Sequence, residues 1–206
     1  MEIELKYLLK DDFAKDRILE DDHLCEIKDS NSDETIQMKA IYYDTENGDL
    51  RKIHVALRSR YENDRIVVTL KWRGNAEDGL HIRGELNVPA DDDFPENPDI
   101  SIFRESEIFG ELEAAVGDRK LVPIMEMDFV RKQIGVDTGK SISVVSLDEG
   151  KIYAAGKEAD ILELEIELYS GEREDMIALG QELASKYNLV TSDKSKFRRG
   201  LELMEV

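Results

Sequence analysis

The sequence predicts an α+β fold: mostly antiparallel strands that close into a β-barrel around a tunnel, with helices packed outside. Three observations carry this expectation. Several segments alternate polar and apolar side chains with period two, the pattern of strands with two unlike faces. The polar faces of these strands are largely charged and sorted by sign, which gives them a reason to face one another across an interior. Helical periodicity is confined to three segments lying between and after the strands, the order of an α+β chain.

The first strand is Glu2–Lys6, where Glu2, Glu4 and Lys6 share one face and Ile3, Leu5 and Tyr7 the other. A short helix is expected over Asp11–Glu20, and Ala40–Tyr43 carries a weaker strand signal. In Val55–Arg60, Arg58 and Arg60 lie opposite Val55 and Leu57. In Ile66–Arg73, Thr69, Lys71 and Arg73 lie opposite Ile66, Val68, Leu70 and Trp72. Arg83, Glu85 and Asn87 alternate with Ile82, Leu86 and Val88. Pro89–Pro98 holds three of the four prolines and a run of acids, so it reads as a surface loop. Glu107–Val116 puts Ile108, Leu112 and Ala115 on one helical stripe. Met125–Val136 and Ser141–Leu147 carry weaker strand signals, and in the next segment Glu163, Glu165 and Glu167 alternate with Leu162, Leu164, Ile166 and Leu168. Glu172–Tyr187 is a helix with Met176, Leu179, Leu183 and Tyr187 on one stripe. Its acids fall in the first turn, where the helix dipole favours them.

Composition narrows the class. Hydrophobic residues make up 41% of the 206, enough for a real core. No apolar run reaches the roughly 18 residues a membrane helix needs, and the N-terminus lacks the pattern of a signal peptide. Cys25 is the only cysteine, which removes an internal disulfide and a cysteine-based zinc site. It reads as a small core residue. His23, His54 and His81 are scattered and read as structural or surface residues. A cytoplasmic protein is expected. The net charge of −19 argues against nucleic acid and anionic membrane as partners, because both bind through clustered Lys and Arg.

The sorting of charge points to chemistry. Glu2, Glu4, Glu163, Glu165 and Glu167 form acidic rows from opposite ends of the chain, while Arg58, Arg60, Lys71 and Arg83 form basic rows from its middle. A solvated surface normally mixes signs. Turned into a barrel, the two sets become facing walls. A basic wall grips a polyphosphate, bidentately through Arg. An acidic wall suits Mg²⁺ or Mn²⁺, hard cations that take carboxylate and phosphate oxygens. The net charge does not veto such a ligand. Unit charges about 4 Å apart interact with roughly 4 kcal/mol at an effective dielectric near 20, whereas exterior carboxylates are screened within about 8 Å.

These residues resemble the CYTH domain, or triphosphate tunnel metalloenzyme, superfamily. Glu2-x-Glu4-x-Lys6 is similar to its opening signature, weak alone. The other matches run in order along the chain: Tyr42-Tyr43-Asp44-Thr45, Leu57-Arg58-Ser59-Arg60, Thr69-Leu70-Lys71, Asp128-Phe129-Val130-Arg131, Leu147-Asp148-Glu149-Gly150, Glu163-Leu164-Glu165-Ile166-Glu167-Leu168 and Ser195-Lys196-Phe197-Arg198-Arg199-Gly200. Gly79–Val88 and the run from the acidic strand into Ser170-Gly171-Glu172 resemble the bacterial inorganic triphosphatases. Asn87 stands where many members carry a second acid. The helical CHAD domain that often comes next in this branch has no counterpart before Val206. One CYTH-like domain over residues 1–206 is expected, either stand-alone or with a downstream part removed.

The resemblance implies an antiparallel barrel of about eight strands with a tunnel. It implies metal at Glu2, Glu4, Glu165 and Glu167, with Glu163 a further candidate. Phosphates would lie on Lys6, Arg58, Arg60, Lys71, Arg83, Arg131 and Lys196, with Glu85 and Asp148 orienting that wall or binding a second metal. The expected activity is metal-dependent hydrolysis of inorganic triphosphate, with Lys6 acting on the reacting phosphate and Glu165 or Glu167 as general base. Thiamine triphosphate hydrolysis and adenylyl cyclisation of ATP are sibling readings, in which Trp72 or Tyr61 clamps the organic group. A non-catalytic polyphosphate-binding module is the reading from another class.

Overall fold

The computed structural model describes residues 1–10, 12–63 and 65–205. Eight strands make the frame: β1 (Glu2–Leu8), β2 (Glu34–Thr45), β3 (Val55–Glu62), β4 (Arg65–Glu77), β5 (Leu80–Ala90), β6 (Leu121–Asp137), β7 (Ser141–Ala154) and β8 (Lys157–Gly171). They join in the order β5-β4-β3-β2-β6-β7-β8-β1, and β1 pairs back onto β5, closing the barrel. Every pairing is antiparallel, and closure leaves these strands no open edge. A two-residue strand, β9 (Val190–Thr191), adds to β1 at Tyr7 and Leu8, beyond the reach of β5.

The seam depends on one turn. Asp78 and Gly79 both take positive φ, 52° and 80°, between paired Glu77 and Leu80. That is the two-residue hairpin geometry for which Asp-Gly is favoured. The turn also touches the neighbouring strand, since the Gly79 carbonyl accepts from Lys6 N–H at 2.8 Å. A Cβ at residue 79 would meet the Lys6 carbonyl at 2.8 Å. Glycine is required here.

Outward faces bury two apolar layers. On one side, Leu5, Tyr7, Val145, Leu147, Leu164 and Ile166 pack under α2 (Asp22–Ile27) and α5 (Arg173–Tyr187). On the other, Leu57, Val68 and Leu70 pack under α3 (Asp49–Lys52) and α4 (Phe109–Val116), with Phe103 from the preceding loop. Each fully buried Leu or Ile contributes roughly 1.5–3 kcal/mol. The inward faces are not charged throughout. At one end of the barrel Met38, Ala40, Tyr42, Met125, Met127 and Ile152 form a third cluster, covered by Phe197, Leu201 and Met204 of α6 (Lys196–Met204). The C-terminal helix therefore closes that end.

Several expectations change. Strand β2 extends well N-terminal of Ala40–Tyr43, and β7 well past Leu147. The helix expected over Asp11–Glu20 begins at a residue outside those described. From Asp12 onward the chain forms a short α1 (Asp12–Lys15), a 3-10 turn at Ile18–Glu20, and then α2. Asp21 makes the break, its carboxylate accepting from His23 and Leu24 N–H as the N-cap of α2. Cys25 is exposed rather than buried, because Leu24 takes the inward side of that helix. In α4 the buried stripe is Leu112 and Val116, not Ala115. Pro89 still belongs to β5, at its end, where a missing N–H costs least. No helix among the described residues is long and apolar enough to cross a membrane.

Candidate functional site

Strand alternation sends one face of every strand inward, and the barrel brings the expected residues together. A cavity of about 190 Å³ is lined by Glu2, Glu4 and Lys6 from β1, Arg58 and Arg60 from β3, and Lys71 from β4. Arg83 and Glu85 from β5, Arg131 from β6, Glu165 and Glu167 from β8, and Lys196 from α6 complete the charged lining. Glu163 and Asp148 lie behind this wall, each fully buried.

Around those two acids the charges are saturated. Glu163 accepts from Lys196 and Arg199, with Lys6 Nζ at 3.4 Å. Arg131 makes a bidentate pair with Asp148, both contacts at 2.7 Å, and reaches Glu165 at 2.5 Å. Lys196 lies 2.6 Å from Asp148 and 2.8 Å from Glu165, and Lys6 also bonds Glu165. Burial alone would lower the Lys6 pKa, but Glu163 and then Glu165 and Glu4 hold it above the ordinary lysine range. Burial would raise Glu165, yet Lys196, Lys6 and Arg131 hold it well below the ordinary carboxylate range. Asp148, Glu163 and Glu165 present oxygens within 4.8 Å of one another, a spacing that could hold a metal ion. Each of their oxygens already serves a Lys or Arg.

The second carboxylate group is paired more openly. Glu2 accepts from Lys71 at 2.8 Å and from Arg83, while Arg83 also reaches Glu4 at 2.6 Å. Lys71 lies 2.7 Å from Glu85. Burial would raise the Glu85 pKa, but Lys71 brings it down to about 2. Glu167 stands apart, because no hydrogen bond or ion pair reaches it among the described residues. Glu167 is exposed as a residue, yet partial loss of water around its carboxylate first, and then the like charges of Glu2 and Glu85, push its pKa up to about 7. On the basic side Arg58 and Arg60 each keep a buried Nε without a partner among the described residues. Burial, and then Arg58 beside it, bring the Arg60 pKa down to about 10. The cavity therefore faces unspent donors and one unspent carboxylate.

Some residues here escaped the sequence reading. Tyr42, Phe129 and Phe197 also line the cavity, and Arg199 binds Glu163. Phe197 and Arg199 were visible only as part of a basic string; the helical spacing of Phe197, Leu201 and Met204 is the signal that places them. Ser195 starts that helix as N-cap, accepting from Arg198 N–H. His81 is buried at 4% exposure, and its Nε2–H donates to the Ser192 carbonyl at 2.8 Å, tying the segment before α6 to the seam. Trp72 faces outward onto the α3–α4 layer and Tyr61 does not line the cavity. Trp72 does line a neighbouring vestibule of about 620 Å³ that shares Lys71, Arg83 and Phe197 with the cavity.

The strands thus close an antiparallel barrel around one cavity lined by interleaved, largely paired acidic and basic side chains. The chain belongs to the CYTH domain family, which it matches over residues 1–201. It is 34% identical over 159 residues to the inorganic triphosphatase of Haemophilus influenzae, covering 77% of this chain and 44% of that protein. The chain thus spans less than half the length of that curated relative. Among solved structures it resembles a Hippeastrum protein, an adenylyl cyclase candidate described as revealing a dominant triphosphatase activity. The TM-score is 0.71 at 23% identity, over 98% of this chain and 96% of that one. The PH1819 protein of Pyrococcus horikoshii OT3 superposes with a TM-score of 0.61 at 20% identity over the whole of both chains.

Proposed function

We propose that this protein hydrolyses inorganic triphosphate to pyrophosphate and phosphate, with Mg²⁺ or Mn²⁺, inside the barrel. The observation that carries the reading is the pair of unspent groups across one cavity: the Arg58 and Arg60 donors on one wall and Glu167 on the other. The name of the Haemophilus relative supports the same substrate class. The sparse cysteine content supports a cytoplasmic setting.

The residues fit a hard cation. Glu2 and Glu4 offer oxygen ligands only, and they stand beside Glu167, whose crowding by like charges a nearby cation would relieve. Bound there, the ion would neutralise charge shared by two phosphoryl groups and acidify a water. Glu163 and Glu165 stay further candidates: like Glu2, their oxygens serve Lys or Arg side chains, which an ion would have to displace, and with Asp148 they have a spacing that could hold one. Lys6, Lys196 and Arg131 stay charged and hold the terminal phosphate, next to the N-terminus of α6, whose dipole favours an anion. Arg58 and Arg60 take the charge that grows on the departing pyrophosphate. Water oxygen bonds to the terminal phosphorus, the bond to the bridging oxygen breaks, and the water proton passes to Glu167. Glu167, which no Lys or Arg bonds among the described residues, is freer to take that proton than Glu165, whose oxygens serve Lys6, Lys196 and Arg131.

The vestibule favours a second reading, a triphosphate with an organic group such as thiamine triphosphate or ATP, seated against Trp72 and Phe197. Phosphate release from tripolyphosphate, thiamine triphosphate and ATP, with Mg²⁺ or Mn²⁺ and with EDTA, separates these. Preference for an organic triphosphate favours the second reading. Tight tripolyphosphate binding without turnover favours a non-catalytic module.

A further inference from the structure

Arg58 is held from two sides. It lies in a cross-strand row over four strands: Tyr42 on β2 pairs with Arg58 on β3, Arg58 with Thr69 on β4, and Thr69 with Asn87 on β5. Directly opposed residues have Cβ atoms about 4.5–5.5 Å apart, so these side chains meet along the inner wall. The Tyr42 ring centroid is 5.9 Å from the guanidinium carbon, within cation–π range. On the other side Arg58 Nη2 donates to Thr69 Oγ1 at 3.2 Å, and Thr69 Oγ1 donates to Asn87 Oδ1 at 2.7 Å. Asn87 Nδ2 then donates to Glu85 Oε1 at 2.7 Å. Thr69 is fully buried, so no solvent competes for its hydroxyl.

Chemistry fixes the direction of this chain. A guanidinium only donates and a carboxylate only accepts, while the hydroxyl and the amide here do one of each. The hydrogens therefore run one way, from cation to anion, and each bond polarises the next. Arg58 spends Nη2 on Thr69. Its buried Nε keeps no partner among the described residues, on a side chain that lines the cavity.

We propose that Thr69 and Asn87 are positioning residues for anion binding, a one-way hydrogen-bond relay that fixes Arg58 for the phosphate and ties it to Glu85 as counter-charge. This rests on the triphosphate reading above. It also gives Asn87 a reason to be an amide, since an aspartate there could not donate to Glu85 and would set two carboxylates side by side.

The test is calorimetric binding of tripolyphosphate in EDTA, where metal-dependent turnover stops, with thermal melts to confirm folding. T69V keeps the shape and loses the hydroxyl; it should weaken binding about fivefold, the worth of one ordinary hydrogen bond. T69S should bind as wild type, and N87A, at an exposed position, should weaken binding in the same direction. In an R58A background T69V should have no further effect, because the relay acts only through Arg58. A merely structural Thr69 would lower the melting temperature without that dependence. Wild-type binding by T69V, or a full T69V effect in R58A, overturns the relay alone. Wild-type protein that binds no tripolyphosphate either in EDTA or with Mg²⁺ overturns the triphosphate reading and the relay with it.

Discussion

Lys6 on the first strand and Lys196 on the last helix converge on one carboxylate oxygen: Glu165 Oε1 accepts from both, at 2.8 Å from the Lys196 ammonium. Two cations so close repel by roughly 4 kcal/mol at 4 Å and an effective dielectric near 20. Asp148 and Glu163 beneath them supply the balance. The two ends of the chain thus meet in one charge network, and docking of α6 is electrostatic as well as apolar.

Lys196→Met breaks that balance. It leaves buried Asp148, Glu163 and Glu165 under-compensated, at a cost of roughly 3–5 kcal/mol, read from urea unfolding. An unchanged midpoint would contradict the network. The acids also set a pH window. Asp148 and Glu165 are held below their ordinary values, so their contribution is present above about pH 4 and is lost as pH falls through the lower folded values. The part of wild-type stability that Asp148 and Glu165 supply should be lost only below about pH 4. The variant should begin to decline at higher pH.

Arg60→Ala should act on the ligand more than on the fold. Its protein partner Glu62 is itself mostly buried, so some stability is lost with the pair, and the melt separates that loss from the loss of binding. Loss of a charge-assisted bond to phosphate, worth roughly 1.5–3 kcal/mol, should raise the tripolyphosphate dissociation constant about 10- to 150-fold. Calorimetry and a melt on the same sample check both halves.

Glu167, with its pKa pushed up to about 7 by partial loss of water and then by Glu2 and Glu85, should shape the pH profile. The base must be ionised, so kcat/KM should fall off at acid pH, with a midpoint below 7 once a cation beside Glu2 lowers the Glu167 pKa. Glu167→Gln should lower kcat by about 10²- to 10⁴-fold and flatten that limb. An unaltered acid limb in the variant would move the base elsewhere.

Gly79→Ala tests the seam. Its φ of 80° and the 2.8 Å approach of a Cβ to the Lys6 carbonyl leave no room. A loss of roughly 1–3 kcal/mol is expected by chemical denaturation, with faster hydrogen exchange at the Lys6 amide that bonds the Gly79 carbonyl.

Legibility tracked the physics of each element. Strands with one charged and one apolar face declared themselves, as in Glu2–Tyr7 and Leu162–Leu168, because period two shows only when the faces differ. Strand β2 was under-read because Met38, Ala40 and Tyr42 face the barrel interior while Ile41 and Tyr43 pack outward, so both faces are apolar. The same cause hid the apolar end under α6. Asp78-Gly79 between Glu77 and Leu80 is a hairpin signal written in the sequence itself. Glu163 alternates with Glu165 and Glu167 and looks identical to them; only the register that sets Asp148 beside it, and α6 above it, takes it out of the cavity. Depth along a barrel is not written in periodicity.

We propose that Glu2 and Glu4 of β1 hold a metal ion needed for triphosphate hydrolysis. Phosphate release from tripolyphosphate by wild type and Glu4→Gln, each with Mn²⁺ and with EDTA, tests it most directly. The account predicts release by wild type with Mn²⁺, none in EDTA, and none by a Glu4→Gln variant that melts as a folded protein. Release that survives EDTA, or a fully active Glu4→Gln, would contradict it.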